Sequence, residues 1–428
     1  MLGSAAQNVI ALSDSVFLYH RSEDDFATIG FVGVFYLVVA AIGFGFSKGG
    51  QIMIARRMGE GNFAEVGRTF YAMIYFELAL AVVLFLFMEF GIYYFFSLFV
   101  DSDIIFYKSL EYLDYRKYGV FFAYVGVAII ALYTGIARPM FIIIDTAILA
   151  IVNIILNYAL IFGKWGFPEM GIAGAGLAST IAEVVAFVVF LLYVGFDKQS
   201  HAMRLFHLPK IDWELIKTQF KLGSPIVAQA VVGLGSWFVF FGIVENLGER
   251  PLAITNLVRM VYLVLSIPCW GFSSGVNTLV SNLIGAGRKD EVFAVIWKTA
   301  KLCFLFTMVL TLPIAIFPEA ILYPLLGSED MSLITEARPI FWVLVGILTV
   351  FSIGGVFFNG LAGTGATYFG LKVQLACAIL YLAYIYIVVE FTNGGLPWAW
   401  ASEIFYWILI VSITIWYLRT TRWHQMRV

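Results

Sequence analysis

Charge is scarce in this chain. Only 13% of its 428 residues are Asp, Glu, Lys or Arg, and the formal charge is −2. That balance says nothing about partners by itself; its distribution along the chain does, and no nucleic-acid partner is expected. Cysteine is rarer still. Cys269, Cys303 and Cys377 all lie in apolar segments without CxxC spacing, which argues against a disulfide framework or a metal centre. The four histidines, His20, His201, His207 and His424, fall at the ends of apolar runs. With no HExxH, no GxSxG and no clustered Asp motif for prenyl diphosphates, an intramembrane enzyme is disfavoured and no cofactor is expected. The beginning shows neither a basic n-region nor a small-residue cleavage site, so no removable signal peptide is expected.

What the chain has instead is apolar surface. It is 61% hydrophobic with a mean hydropathy of +0.92, more than a soluble core can bury, so an integral membrane protein is expected. The runs far exceed the roughly 10 residues of a membrane β-strand, so the spans are helical. At about 20 residues per span, the pattern predicts twelve helices, near 1–20, 26–56, 64–95, 107–135, 138–163, 169–195, 216–246, 252–283, 290–324, 333–361, 366–391 and 397–419.

The chain is internally duplicated. Gly45–Val66 returns 226 positions later as Gly271–Val292, with Gly45, Phe46, Ser47, Gly49, Gly59, Gly61, Glu65 and Val66 identical without a gap. Ala27, Val32, Tyr36, Leu37 and Val38 match Ala253, Val258, Tyr262, Leu263 and Val264 at the same offset, and Tyr133–Ala137 echoes Phe358–Ala362. Six helices per half return the chain to the same side, so the repeats are parallel and the fold expected is an all-α polytopic protein of two six-helix lobes. The lobes are expected at 1–195 and 216–419, with a cytosolic linker at 196–215 and a cytosolic tail at 420–428. Met1 aligns with Val227, whereas the seventh helix begins near Ile216. The first helix therefore reads as short by about two or three turns, and the native chain is expected to start upstream.

Lys and Arg set the orientation. One set of loops carries Arg56, Arg57, Arg138, Lys198, Arg204, Lys210, Lys217, Arg288, Lys289, Arg422 and Arg427; the other carries Glu23–Asp25, Asp101, Asp103, Glu329 and Asp330. Both termini are thus expected in the cytosol, in a multi-pass protein of the inner membrane. Arg116 and Lys117 run against this bias.

Each ionisable group inside hydrocarbon raises a functional question. In the first half these are Asp14, Lys48, Glu77, Asp145 and Glu183. Asp14 shares a face with Gln7, and Asn153 and Asn157, at i and i+4, project from one face of the fifth helix. Lys48 and Glu77 on neighbouring helices are expected to pair, with Gln51 joining them, and Asp145 reads as structural.

Gly49–Gly61, Thr134–Pro139, Asn153–Gly163 running on to Gly166-Phe-Pro, and Gly171–Ser179 resemble the multidrug and toxic compound extrusion (MATE) transporters. Leu222–Pro225, Gly285-Ala-Gly287 and Asn359–Gly365 agree in the second half. The resemblance implies a secondary antiporter that exports amphipathic, often cationic, organic compounds in exchange for H⁺ or Na⁺ by alternating access. Asp14 matches the family's first-helix carboxylate and Asn153 and Asn157 its polar pair, although some members carry Asp in place of Asn157. One of Ser179 and Thr180 matches the family's hydroxyl, and Glu183 shares that face. Asp14, Asn153 and Asn157 offer hard oxygens for Na⁺, while a single negative charge favours proton coupling through Asp14. In the second half Gly233 stands where some members have Glu, and Phe351-Ser352 near where they have Asp, so coupling is expected to be confined to the first lobe. Glu403 and Arg259 have no role to carry over. Small-molecule substrates, membrane lipids and a monomeric transport unit are expected, with a flippase for a lipid-linked precursor as the alternative. For a flippase, cavity cations are few: Lys48, Arg259 and Lys372.

Overall fold

A computed structural model describes residues 2–100, 102–326, 331–392, 395–420 and 422–426. Asp101, Glu329, Asp330 and Arg427 of the loop charges, and the side chain of Gln7, lie outside the described residues. The described residues are helical throughout, with turns between. The first half is built from α1 (Leu2–Tyr19), α2 (Glu23–Gly59), α3 (Phe63–Leu86) continuing into α4 (Ile92–Phe96), α5 (Asp103–Gly135), α6 (Pro139–Ile161) and α7 (Ile172–Phe196). After the short α8 (Lys198–Ala202) come α9 (Trp213–Glu245), α10 (Glu249–Leu265), α11 (Ile267–Gly285), α12 (Val292–Ile316), α13 (Pro318–Leu326), α14 (Met331–Gly363), α15 (Thr367–Phe391) and α16 (Gly395–Arg419).

These make twelve spans. Ten segments are long and apolar enough to cross a bilayer among the described residues, and α10 with α11 forms an eleventh, bent by 42°. The twelfth is α1, 18 residues long, or about 27 Å of helix. Polar caps fix the ends. Ser22 accepts from the backbone N–H of Asp25 at 3.1 Å and starts α2, whose first turn is acidic and whose last turn holds Arg56 and Arg57. That arrangement opposes the helix dipole at both ends.

Three departures from the expected spans have local causes. The eighth span breaks at Ser266, because Pro268 in the first turn of α11 has no N–H to give and its ring displaces the preceding turn. The repeat supplies the control: Ile42 occupies that position in α2, which runs unbroken for 37 residues. The ninth span stops at Ile316 rather than 324, since Pro318 begins a separate helix. A π-helical turn at Phe87–Gly91 interrupts the third span, which the apolar pattern shows only as continuous.

The chain divides into two compact units, Leu2–Ser224 and Pro225–Val428. In the first, α5 packs against α2, α3 and α7, and α1 lies along α6. In the second, α14 is central, contacting α10, α11, α12 and α16, while α15 packs on α16. Large apolar side chains such as Phe238, Leu98 and Tyr94 point outward, as hydrocarbon solvent permits.

The 197–212 connection is held to the first unit. Tyr71 Oη donates to the Leu205 carbonyl, Tyr75 Oη to that of Pro209 at 3.0 Å, and Arg68 pairs with Asp212 at 2.5 Å.

Candidate ion-coupling site

The site begins with the two faces of α6. Ile151, Ile154, Ile155 and Tyr158 are exposed, whereas Asn153 and Asn157 are fully buried. The i, i+4 spacing puts both amides on the inward face, and α1 lies against it.

Asp14 on α1 is fully buried and receives every donor nearby. Asn157 Nδ2 donates to its Oδ1 at 2.8 Å and Asn153 Nδ2 at 3.2 Å. Ser179 Oγ of α7 lies 2.9 Å from Oδ2, and Tyr112 Oη of α5 donates to Oδ2 at 3.2 Å. Asn157 Nδ2 also reaches Ser13 Oγ at 3.1 Å and Asn153 Oδ1 at 3.3 Å. Asn157 Oδ1 is buried without a hydrogen-bond partner. The result is one carboxylate surrounded by neutral donors from three helices, with one amide oxygen unfilled.

Of the expected site residues, Asp14, Asn153, Asn157 and Ser179 therefore meet directly. Thr180 and Glu183 go elsewhere. Thr180 Oγ1 donates to the Tyr115 carbonyl at 3.0 Å. Glu183 is committed to Arg116, whose two terminal nitrogens lie 2.6 Å from its two oxygens, both side chains being essentially inaccessible. The guanidinium also stacks over Tyr36, 3.9 Å from the ring centroid. Bidentate geometry of this kind is what compensates burial of both charges. Arg116 is thus paired within the fold, and its neighbour Lys117 pairs with Glu89 at 2.7 Å.

The expected Lys48–Glu77 pair is not formed. Ser47 Oγ donates to Glu77 Oε1 at 2.8 Å, and Glu77 Oε2 is buried without a partner. Successive helix residues point about 100° apart, so with Ser47 turned to α3, Lys48 faces another way. Gln51, one turn further, is buried.

A recess of about 450 Å³, open space at its mouth included, lies inside the first unit. Phe44, Phe122, Phe187 and Phe190 line it with Asp145 and Glu183. Glu183 is balanced by Arg116; among the described residues no ion pair or hydrogen bond engages Asp145.

The family model MatE matches residues 1–159 and 225–387, in two blocks that follow the duplication. The chain belongs to the MatE family. Among its relatives, the probable multidrug resistance protein NorM of Thermotoga maritima is 25% identical over 99% of this chain and 90% of its own length. NorM of Synechocystis is 27% identical over 76% of this chain and 70% of its own length. Among solved structures, an outward-facing multidrug resistance MATE family transporter matches with a TM-score of 0.86 at 17% identity, covering 98% of this chain and 92% of that one. A transporter of the MOP superfamily from Pyrococcus furiosus gives 0.85 at 18%, with the same coverage. At those identities the likeness concerns the fold, a two-lobed bundle of twelve helices.

As a MatE protein the chain is a multi-pass integral membrane transporter and not an enzyme. Three residues of the MatE site escaped the sequence reading. Arg116 carried a signal, being one of the few cations within a predicted span, with Glu183 the one anion in the interior of the sixth span. Tyr112 and Ser13 carried none, since only packing tells which of many hydroxyls reach Asp14, as Tyr112 does, or Asn157, as Ser13 does.

Proposed function

We propose that this MatE transporter is a secondary antiporter that expels amphipathic organic cations in exchange for H⁺ or Na⁺ carried at Asp14. One observation carries the reading: Asp14 is buried in the membrane, and all its partners are neutral. An ionised carboxylate gathers the donors of Tyr112, Asn153, Asn157 and Ser179. A proton on it removes charge and acceptor capacity together, releasing α5, α6 and α7 from a common anchor on α1. Ion occupancy is thereby tied to helix packing, which is what alternating access requires. Na⁺ would instead draw on Asp14 with the unfilled Asn157 Oδ1 and the Asn153 oxygen.

The recess supplies the substrate end. Four phenylalanine rings and the unpaired Asp145 suit an apolar cation, by ring-face attraction worth about 0.5 to 2 kcal/mol per contact and by charge. Multidrug efflux, as in the NorM relatives, fits such loosely specified chemistry. Its lining has no Lys or Arg, which disfavours a diphosphate-bearing lipid precursor. The basic ends at Arg56, Arg57, Arg138, Lys210 and Arg288 support cytosolic termini in an inner membrane, with the 196–215 linker on that side between lobes at 1–195 and 216–419, and the monomer as transport unit.

The test is counterflow in proteoliposomes loaded with a fluorescent organic cation, under an imposed Na⁺ or proton gradient. Wild type should respond to one ion, and Asp14→Asn should lose that response while binding the cation at unchanged affinity. Efflux by Asp14→Asn at the wild-type rate under either gradient would overturn the assignment.

A further inference from the structure

The sixth span of each half carries a buried glutamate, Glu183 on α7 and Glu403 on α16, 3% and 4% exposed. Each lies within electrostatic range of the same tyrosine of the repeat, Tyr36 in one half and Tyr262 in the other. Their counter-ions differ. Arg116 neutralises Glu183; the offset of 225 that relates Tyr133–Ala137 to Phe358–Ala362 puts Phe341 at the corresponding place, and Phe341 is buried core.

We propose that Glu403 is a second proton-carrying group of this transporter, housed in the second half of the chain. Its partners are neutral. Trp237 Nε1 of α9 donates to Oε1 at 2.9 Å; Tyr381 of α15 and Trp407 of α16 stand beside the carboxylate, the Tyr381 hydroxyl and Trp407 Nε1 buried without a hydrogen-bond partner. The titratable groups facing it are Tyr262 from α10, with Cys269 of α11 behind it, Tyr381 from α15 and Tyr406 from α16; from α14 comes Phe351, packed on Trp407 at 4.5 Å. Arg259, on α10 one turn before Tyr262, stacks over Phe241 at 5.2 Å, and among the described residues no cation pairs with Glu403.

A buried carboxylate with neither counter-ion nor solvent is costly when charged. Glu183 meets that cost with the guanidinium of Arg116, bound through both its oxygens. Glu403 meets it by taking a proton: water on one side of the membrane gives H⁺ to the carboxylate, forming one O–H bond, and the same bond breaks when the proton passes to water on the other side.

The transport role rests on the antiport reading above; proton binding does not, so it is measured directly. Purified protein in unbuffered detergent solution is acidified from about pH 8 to about pH 5, the span where physiological switching occurs, and proton uptake per chain is counted. Glu403→Gln should take up one proton fewer than wild type. The fluorescence of wild type should change over the same range as the neighbouring carboxyl quenches Trp237, and Glu403→Gln and Trp237→Phe should both lose that component. Equal uptake by wild type and a folded Glu403→Gln would overturn the proposal. If that variant does not fold, Trp237→Phe decides: an unshifted uptake midpoint counts against Glu403, a shifted one for it. Asp14→Asn should abolish transport yet keep the Trp237 signal, which separates failure of this proposal from failure of the coupling site.

Discussion

Single side chains carry the sharpest consequences. Asn157 donates 2.8 Å from Asp14, so Asn157→Asp places two carboxylates side by side, and one must hold a proton or share a cation. Counterflow should then gain a Na⁺-driven component relative to wild type. Gly119 is confined by chemistry rather than by conformation: a Cβ there would lie 2.4 Å from Arg116 Nη1 and 2.5 Å from Glu183 Oε2. Gly119→Ala should destabilise by about 1 to 3 kcal/mol through overpacking, read as a lower thermal midpoint in detergent. Asp14, Asn153, Asn157 and Ser179 were legible because polar residues in apolar helices stand out. Glu403 was visible too, but its neighbours were not: no pattern along one helix shows that Trp237 of α9 packs across from α16.

Elements answer to their ends and their partners. Asp212 begins α9 by accepting from the backbone N–H groups of Glu214 at 3.0 Å and Leu215 at 3.2 Å. The bond from Leu215, and then Arg68, hold its carboxyl below its ordinary range. A depressed acid stabilises above its unfolded value, about 3.9, and that contribution fades as pH falls through the lower folded one. Proteolysis of the linker in wild type should therefore rise below about pH 4, and Asp212→Asn should flatten that rise. The α5–α7 contact depends on a matched pair. Glu183→Gln leaves a buried guanidinium uncompensated, at a cost of about 3 to 5 kcal/mol, whereas Arg116→Met with Glu183→Leu should cost much less; thermal unfolding of the two variants compares them. Helix existence was readable from apolar run length. The π turn and the separate α13 were not, because hydrophobicity does not register how a backbone hydrogen-bond ladder is dealt.

At the scale of the whole molecule, duplication made the architecture legible: eight identities without a gap across 22 positions imply two copies of one fold before any helix is placed. They also say where the copies parted, at Ile42 against Pro268 and at Arg116 against Phe341. The second divergence reaches beyond stability. Arg116 pairs with Glu183, so under the antiport proposed above Asp14 alone would exchange one positive charge for a monovalent substrate, a cycle that moves no net charge. A proton on Glu403 in the same cycle makes the exchange two for one. On that proposal the membrane potential does work on every turnover, about 2.3 kcal/mol per 100 mV for one elementary charge, and efflux in proteoliposomes should steepen with an imposed potential in wild type and not in Glu403→Gln.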